Sequence, residues 1–179
     1  MAIIALFGSG IARQGSYEYD TAEFAGLQLA EKGYDILTGG FGGVMEAGLK
    51  GAYNSDVKRI GVTSKFQKNL NLIPNLYINE EFETGDYLNR MTYMLNRADA
   101  YLVFPGGTGT LLELSAAWAL KERGMLADKP LIVIGEQWQE VIQIMSFYSE
   151  TIMDNIALIH KVDTVHEAIE IIESIFNKK

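Results

Sequence analysis

The nine residues from Pro105 to Glu113, PGGTGTLLE, combine what a phosphate site needs with a carboxylate beside it. Glycine lets the backbone take positive φ and lets a ligand approach closely. Where such a loop leads from a strand into a helix, free N–H groups lie at the positive end of the helix dipole. Gly106, Gly107, Thr108, Gly109 and Thr110 can each offer a backbone N–H, and Thr110 adds a hydroxyl. Glu113 lies three residues beyond Thr110, on the same helix face. In a first helical turn its carboxylate is stabilised as the anion, a poor acid at neutral pH but a usable base or electrostatic stabiliser. Thr110-x-x-Glu113 equally fits a capping box, in which the glutamate only satisfies an N-cap amide. The proline and three glycines before it are more than a cap needs.

Two more glycine loops follow apolar runs: Gly8-Ser9-Gly10, and Gly39-Gly40-Phe41-Gly42-Gly43. Each could be only a tight turn, but three at one sheet edge favour a ligand. None has a standard nucleotide signature. Arg13 stands where the third glycine of G-x-G-x-x-G would follow Gly8, and Leu112 where it would follow Gly107. No Gly-Lys-Ser/Thr is present, so a dinucleotide oxidoreductase and a P-loop NTPase are both disfavoured. Arg90 and Arg97 lie on one edge of a helix that feeds the PGG strand, and an arginine there could hold phosphate or ribose in a fork. Both also fit surface arginines whose stems cover the core edge. His160 and His166 read as structural or surface residues. No His/Asp/Glu cluster has metal-ligand spacing, so no metal site is expected. No serine sits in a G-x-S-x-G elbow.

These groups must be carried by strands and helices that alternate. Ala2–Phe7, Tyr34–Thr38, Arg59–Thr63, Ala100–Phe104 and Leu131–Ile134 read as strands, with shorter ones over Leu76–Phe82 and Ala157–Val162. Helical spacing covers Tyr17–Lys32, with Phe24, Leu27, Gln28 and Ala30 before a stop at Gly33, and Val44–Tyr53, with Met45, Leu49 and Ala52 on one side. It returns over Asp86–Arg97, Leu111–Arg123, Trp138–Phe147 and Val165–Phe176. In the stretch that starts at Asp86, the apolar residues Tyr87, Leu88, Met91, Met94, Leu95 and Ala98 share an arc of roughly 120°. Ser64 to Pro74 reads as a long polar loop. Strands apolar on both faces, separated by helices, specify a parallel sheet covered on both sides. The expected fold is a Rossmann-like, doubly wound α/β sheet of six or seven strands, with ligands beyond the carboxyl ends of the strands.

The chain has 179 residues, which fits one domain spanning 1–179. It has no cysteine, so disulfides, thiolate metal sites and cysteine nucleophiles are excluded. The formal net charge of −8 argues against a nucleic-acid face. No apolar run approaches the about 20 residues of a membrane span, and the opening AIIALF has no basic n-region. A cytoplasmic protein is expected.

PGGTGTLLE resembles the P-G-G-x-G-T-x-x-E motif of the LOG (Lonely Guy) family, cytokinin riboside 5′-monophosphate phosphoribohydrolases long labelled lysine decarboxylases. The likeness covers most of the chain: FGSG, GGFGGVMEAGLKGA, RIGVTS and RMTYMLNRADAYLVFPGG stand in the family's order. It implies a nucleoside 5′-monophosphate substrate, hydrolysis of the N-glycosidic bond to free base and ribose 5-phosphate, no cofactor, and a homodimer or larger assembly. By position, Glu113 and Arg90 match the catalytic pair. Gly106, Gly107, Gly109 and Thr110 match the phosphate cradle, which Thr108, Gly8, Ser9, Gly39, Gly40, Gly42 and Gly43 extend. Asn89 and Met91 stand where the family commonly has an acid and a lysine, and Gly43-Val44-Met45-Glu46 replaces G-L-M-G. A related group of this fold carries molybdenum cofactor, so a binding role without hydrolysis is the alternative. Decarboxylation would call for pyridoxal phosphate on a lysine, and no lysine stands in a site-like context.

Overall fold

The computed structural model describes residues 1–126, 129–148 and 155–176. Seven strands form one sheet: β1 Ile3–Phe7, β2 Asp35–Thr38, β3 Arg59–Ser64, β4 Glu80–Thr84, β5 Ala100–Val103, β6 Leu131–Ile134 and β7 Ile159–Val162. Their order is β4-β3-β2-β1-β5-β6-β7, and every neighbouring pair is parallel. This is the doubly wound α/β sheet that the sequence predicts. The chain winds outward from β1 to β4, crosses back to β5, and winds outward the other way. The reversal lies between β1 and β5, where the loops leaving the two strands diverge and open a crevice.

Among the described residues, seven α-helices and one short 3-10 helix, Ile156–Leu158, accompany the strands: α1 Tyr17–Glu31, α2 Val44–Gly51, α3 Lys65–Asn69, α4 Tyr87–Arg97, α5 Thr108–Glu122, α6 Glu136–Tyr148 and α7 Val165–Phe176. Alternate side chains of β1 serve different layers, as the pleat requires. Ile4 and Leu6 pack with α1, α2 and α7, whereas Ile3, Ala5 and Phe7 pack with α4, α5 and α6. No helix among the described residues is long and apolar enough to cross a membrane.

Several boundaries and faces differ from the sequence expectation. The fourth strand is Glu80–Thr84 rather than Leu76–Phe82, and Leu76 is exposed. It is an edge strand, and its charges pair with Lys58 and Lys68 rather than forming an apolar run. The segment read as a loop contains α3, capped by Ser64, whose hydroxyl oxygen accepts from the Gln67 N–H. On α1, Phe24 and Leu27 are exposed, while Tyr19, Ala22, Ala25, Gly26 and Leu29 face inward. Small residues select that face. A Cβ on Gly26 would lie 1.9 Å from the Gly48 carbonyl oxygen, and one on Gly51 1.9 Å from that of Glu23, so α1 and α2 meet backbone to backbone.

Candidate functional site

The β5–α5 loop sits at the sheet's reversal. Its helix begins at Thr108, three residues before the expected start, with Gly107 as N-cap. The Leu111 N–H is the first to find an acceptor, the Gly107 carbonyl at 3.0 Å. The amides of Thr108, Gly109 and Thr110 precede it in the first turn, where no helical carbonyl is available, and they open toward the crevice. The Gly106 amide differs from the expectation. It donates to Gln137 Oε1 at 3.0 Å, so it is not free for a ligand. Its glycine character serves packing: a Cβ there would lie 2.3 Å from Thr110 Oγ1 and 2.9 Å from the Ser9 nitrogen. At Gly107 a Cβ would meet nothing within 4 Å.

The early start of α5 also moves Glu113 out of the first turn, and no capping box forms because the N-cap is a glycine with no side chain. Glu113 is buried and makes no hydrogen bond or ion pair among the described residues. Burial pushes its carboxyl up from an ordinary 4.5 to about 7, against the opposing pull of the Arg90 charge. The poor acid expected from a first-turn position is instead a group that holds both protonation states near neutrality.

Arg90 projects from α4 into the same crevice and is only 2% exposed, whereas Leu88, expected on the inward face, is 61% exposed. Its Nε donates to the Val62 carbonyl at 2.7 Å and its Nη2 to the Gly39 carbonyl at 2.8 Å. The guanidinium lies 5.7 Å from the Phe41 ring and 5.6 Å from the Tyr87 ring. Desolvation pulls its pKa down and Glu113 pushes it back up. Gly39 makes this fit possible, since a Cβ there would lie 1.5 Å from Arg90 Nη2. Arg97, the last residue of the same helix, is exposed and takes no part.

Arg90, Glu113 and the amides of Gly107 to Thr110 line one cleft of about 460 Å³, within the range of small-ligand sites. Gly8, Ser9, Gly39 and Gly42 also border it. Gly40 and Gly43 do not. They take positive φ to turn the β2–α2 loop, and Gly43 packs so tightly that a Cβ would lie 2.1 Å from the Ser9 carbonyl oxygen. Tyr87 and Met45, which their spacing assigns to apolar faces, both line the cleft as well. Tyr87 lies three residues before Arg90, a spacing that places both on one helix face and could have revealed it.

The family model described as "Possible lysine decarboxylase" matches residues 45–174. An uncharacterized protein of Archaeoglobus fulgidus is 31% identical over 132 residues, covering 73% of this chain and 82% of that protein. A protein of Oryza sativa subsp. japonica named "Probable cytokinin riboside 5'-monophosphate phosphoribohydrolase" is 31% identical over 134 residues. That match covers 72% of this chain and 51% of the rice protein. Among solved structures, the molybdenum cofactor binding protein of Rippkaea orientalis superposes with a TM-score of 0.77 at 23% identity, over 98% of this chain and 97% of that one. The molybdenum cofactor carrier protein of Chlamydomonas reinhardtii gives 0.75 at 24%, over 98% of each. At these identities the two structures establish the shared fold.

Proposed function

The chain belongs to the LOG family, whose model carries the description "Possible lysine decarboxylase", and from that premise we propose that it is a nucleoside 5′-monophosphate phosphoribohydrolase. The observation that carries the reading is Glu113. It is a buried carboxylate without a hydrogen-bond partner, in the same cleft as the unpaired amides of α5. The 5′-phosphate rests on the amides of Thr108 to Thr110, which fixes the ribose and supplies binding energy away from the reacting centre. The C1′–N bond breaks through an oxocarbenium-like state. Ionised Glu113 stabilises the positive sugar and accepts a proton from the water whose oxygen bonds to C1′; the proton then passes to the departing nitrogen of the base. Two donors of Arg90 are held by backbone carbonyls. Its part is therefore a fixed positive charge that keeps Glu113 partly ionised and faces the ligand.

The test is incubation with a panel of nucleoside 5′-monophosphates, with free base and ribose 5-phosphate measured. Release of base from at least one is the expected result. Binding without release from any would replace hydrolysis by the second reading, carriage of a nucleotide or of molybdenum cofactor, which the same cradle would serve and which the named functions of the two structural neighbours suggest. Decarboxylation through a pyridoxal Schiff base has no support, because no lysine among the described residues lines the cleft. Assembly as a homodimer in the cytoplasm belongs to the same proposal. Exposed Leu88 on α4 and Leu112 on α5 offer apolar surface for it, and sedimentation measures the mass.

A further inference from the structure

We propose that Gln137 is a positioning residue for the phosphate cradle, holding it in its binding orientation from the neighbouring βα unit; the inference rests on the reading of Thr108 to Thr110 as that cradle. Gln137 is the second residue of α6, just after the turn at Gly135 with its positive φ. Its side chain grips both polar atoms of one residue. Nε2 donates to the Gly106 carbonyl at 2.8 Å, and Oε1 accepts from the Gly106 N–H at 3.0 Å. Two further donors hold the residues before it: Trp138 Nε1 reaches the Phe104 carbonyl at 2.8 Å, and the Ser9 N–H reaches that of Pro105 at 3.1 Å. Three consecutive carbonyls are thus held from outside the loop.

The next residue, Gly107, is under no such restraint. A Cβ there would touch nothing, its carbonyl is held, among the described residues, only by the Leu111 N–H of the same loop's helix, and glycine has the widest backbone freedom of any residue. The direction in which the first turn of α5 presents its amides therefore depends on the clamp just upstream. Gln137 itself is exposed. Its side chain adds little to the core, so its geometry matters to the loop rather than to folding.

Gln137→Leu removes both hydrogen bonds at nearly constant size. The dissociation constants for inorganic phosphate and for AMP are expected to rise about tenfold, as two modest hydrogen bonds allow. KM should rise with them, while kcat stays within about twofold and the melting temperature barely moves. Amide hydrogen exchange at Gly107 to Thr110 should accelerate. Gln137→Glu keeps the acceptor and loses the donor while ionised, and regains the donor on protonation. Its AMP dissociation constant, taken as a ratio to that of the wild type at each pH, should fall toward one as pH drops from about 7 to about 4.5. Amide exchange at Gly107 to Thr110 should slow again over the same pH range, which relief of charge repulsion alone would not produce. Unchanged phosphate affinity and unchanged exchange in Gln137→Leu would overturn the proposal, as would a lowered kcat with intact binding. If the wild type binds phosphate and AMP but releases no base, hydrolysis fails while the role of Gln137 is still decided by affinity and exchange.

Discussion

Replacing Glu113 by glutamine should make the protein more stable at neutral pH and less active. Burial raises the Glu113 carboxyl from 4.5 to about 7. Each tenfold difference in proton affinity between folded and unfolded chain is worth about 1.4 kcal/mol, so holding the ionised form inside the folded protein costs about 3 kcal/mol. Proton binding sets the sign. Between pH 4.5 and about 7 the folded state holds a proton that the unfolded state has released. Wild-type stability therefore carries no penalty below pH 4.5, declines as pH rises through that window, and carries the full penalty above about 7. Glutamine is the neutral counterpart at every pH. Urea unfolding of both proteins should give equal free energies near pH 4.5 and a gap of about 3 kcal/mol in favour of Glu113→Gln at pH 8. In thermal melts at pH 8 the gap is roughly 5–10 °C for a chain of this size. Other carboxylates titrate alike in both proteins and cancel. A gap that does not change with pH, or a wild type that is the more stable at pH 8, refutes the assignment of Glu113 as a buried, unpaired carboxylate.

Turnover gives a companion readout. If ionised Glu113 drives hydrolysis, kcat/KM should rise with pH and level off above an inflection near 7, and Glu113→Gln should lose at least about 100-fold in kcat while binding AMP almost normally. Arg90→Lys keeps the charge but cannot reach both the Val62 and Gly39 carbonyls; urea unfolding should show a loss of about 1–3 kcal/mol, and activity should fall with it. Gly106→Ala and Gly107→Ala form a contrasting pair. The first places a methyl against Thr110 Oγ1 and the Ser9 nitrogen and should weaken phosphate binding at least about tenfold by calorimetry, whereas the second meets open space and should keep the fold intact by circular dichroism.

The central strands were legible because IIALF, AYLV and LIVI are apolar on both faces, which only a covered parallel sheet can use. The bounds of the edge strand β4 were not, although a short strand over Leu76–Phe82 is expected there, because EEFET meets solvent and its register is set by pairing with β3. Periodicity placed Arg90 at the border of α4 and Leu88 inside it. The structure reverses them, since the carbonyls of Val62 and Gly39 come from outside α4 and no helical wheel contains them. The start of α5 was misplaced for a local reason. Gly107, Thr108 and Gly109 carry weak helix signals, and the missing side-chain cap removed the usual landmark. Those three residues decide the chemistry of Glu113, because they move it from a dipole-stabilised first turn to a buried position one turn further on. Gln137 left no trace in the sequence, since its partners are backbone atoms of a loop 31 residues upstream.

The proposed cradle would serve a phosphoribohydrolase and a carrier of a phosphorylated ligand equally well. Glu113 is the feature that favours the proposed hydrolase. Binding a phosphate needs donors, and the α5 amides supply them without help from a carboxylate, which repels the ligand's own charge. A buried anion that weakens the fold by about 3 kcal/mol and opposes phosphate binding is a liability in a carrier. In a hydrolase the same anion faces a sugar that becomes positive only at the transition state, so the repulsion in the ground state turns to attraction where the bond breaks. The Arg90 charge sharpens the distinction: its hydrogen bonds to two backbone carbonyls hold it apart from direct pairing with Glu113, whose carboxyl burial raises to about 7, so in the proposed hydrolase Glu113 can take a proton from water and give it up again.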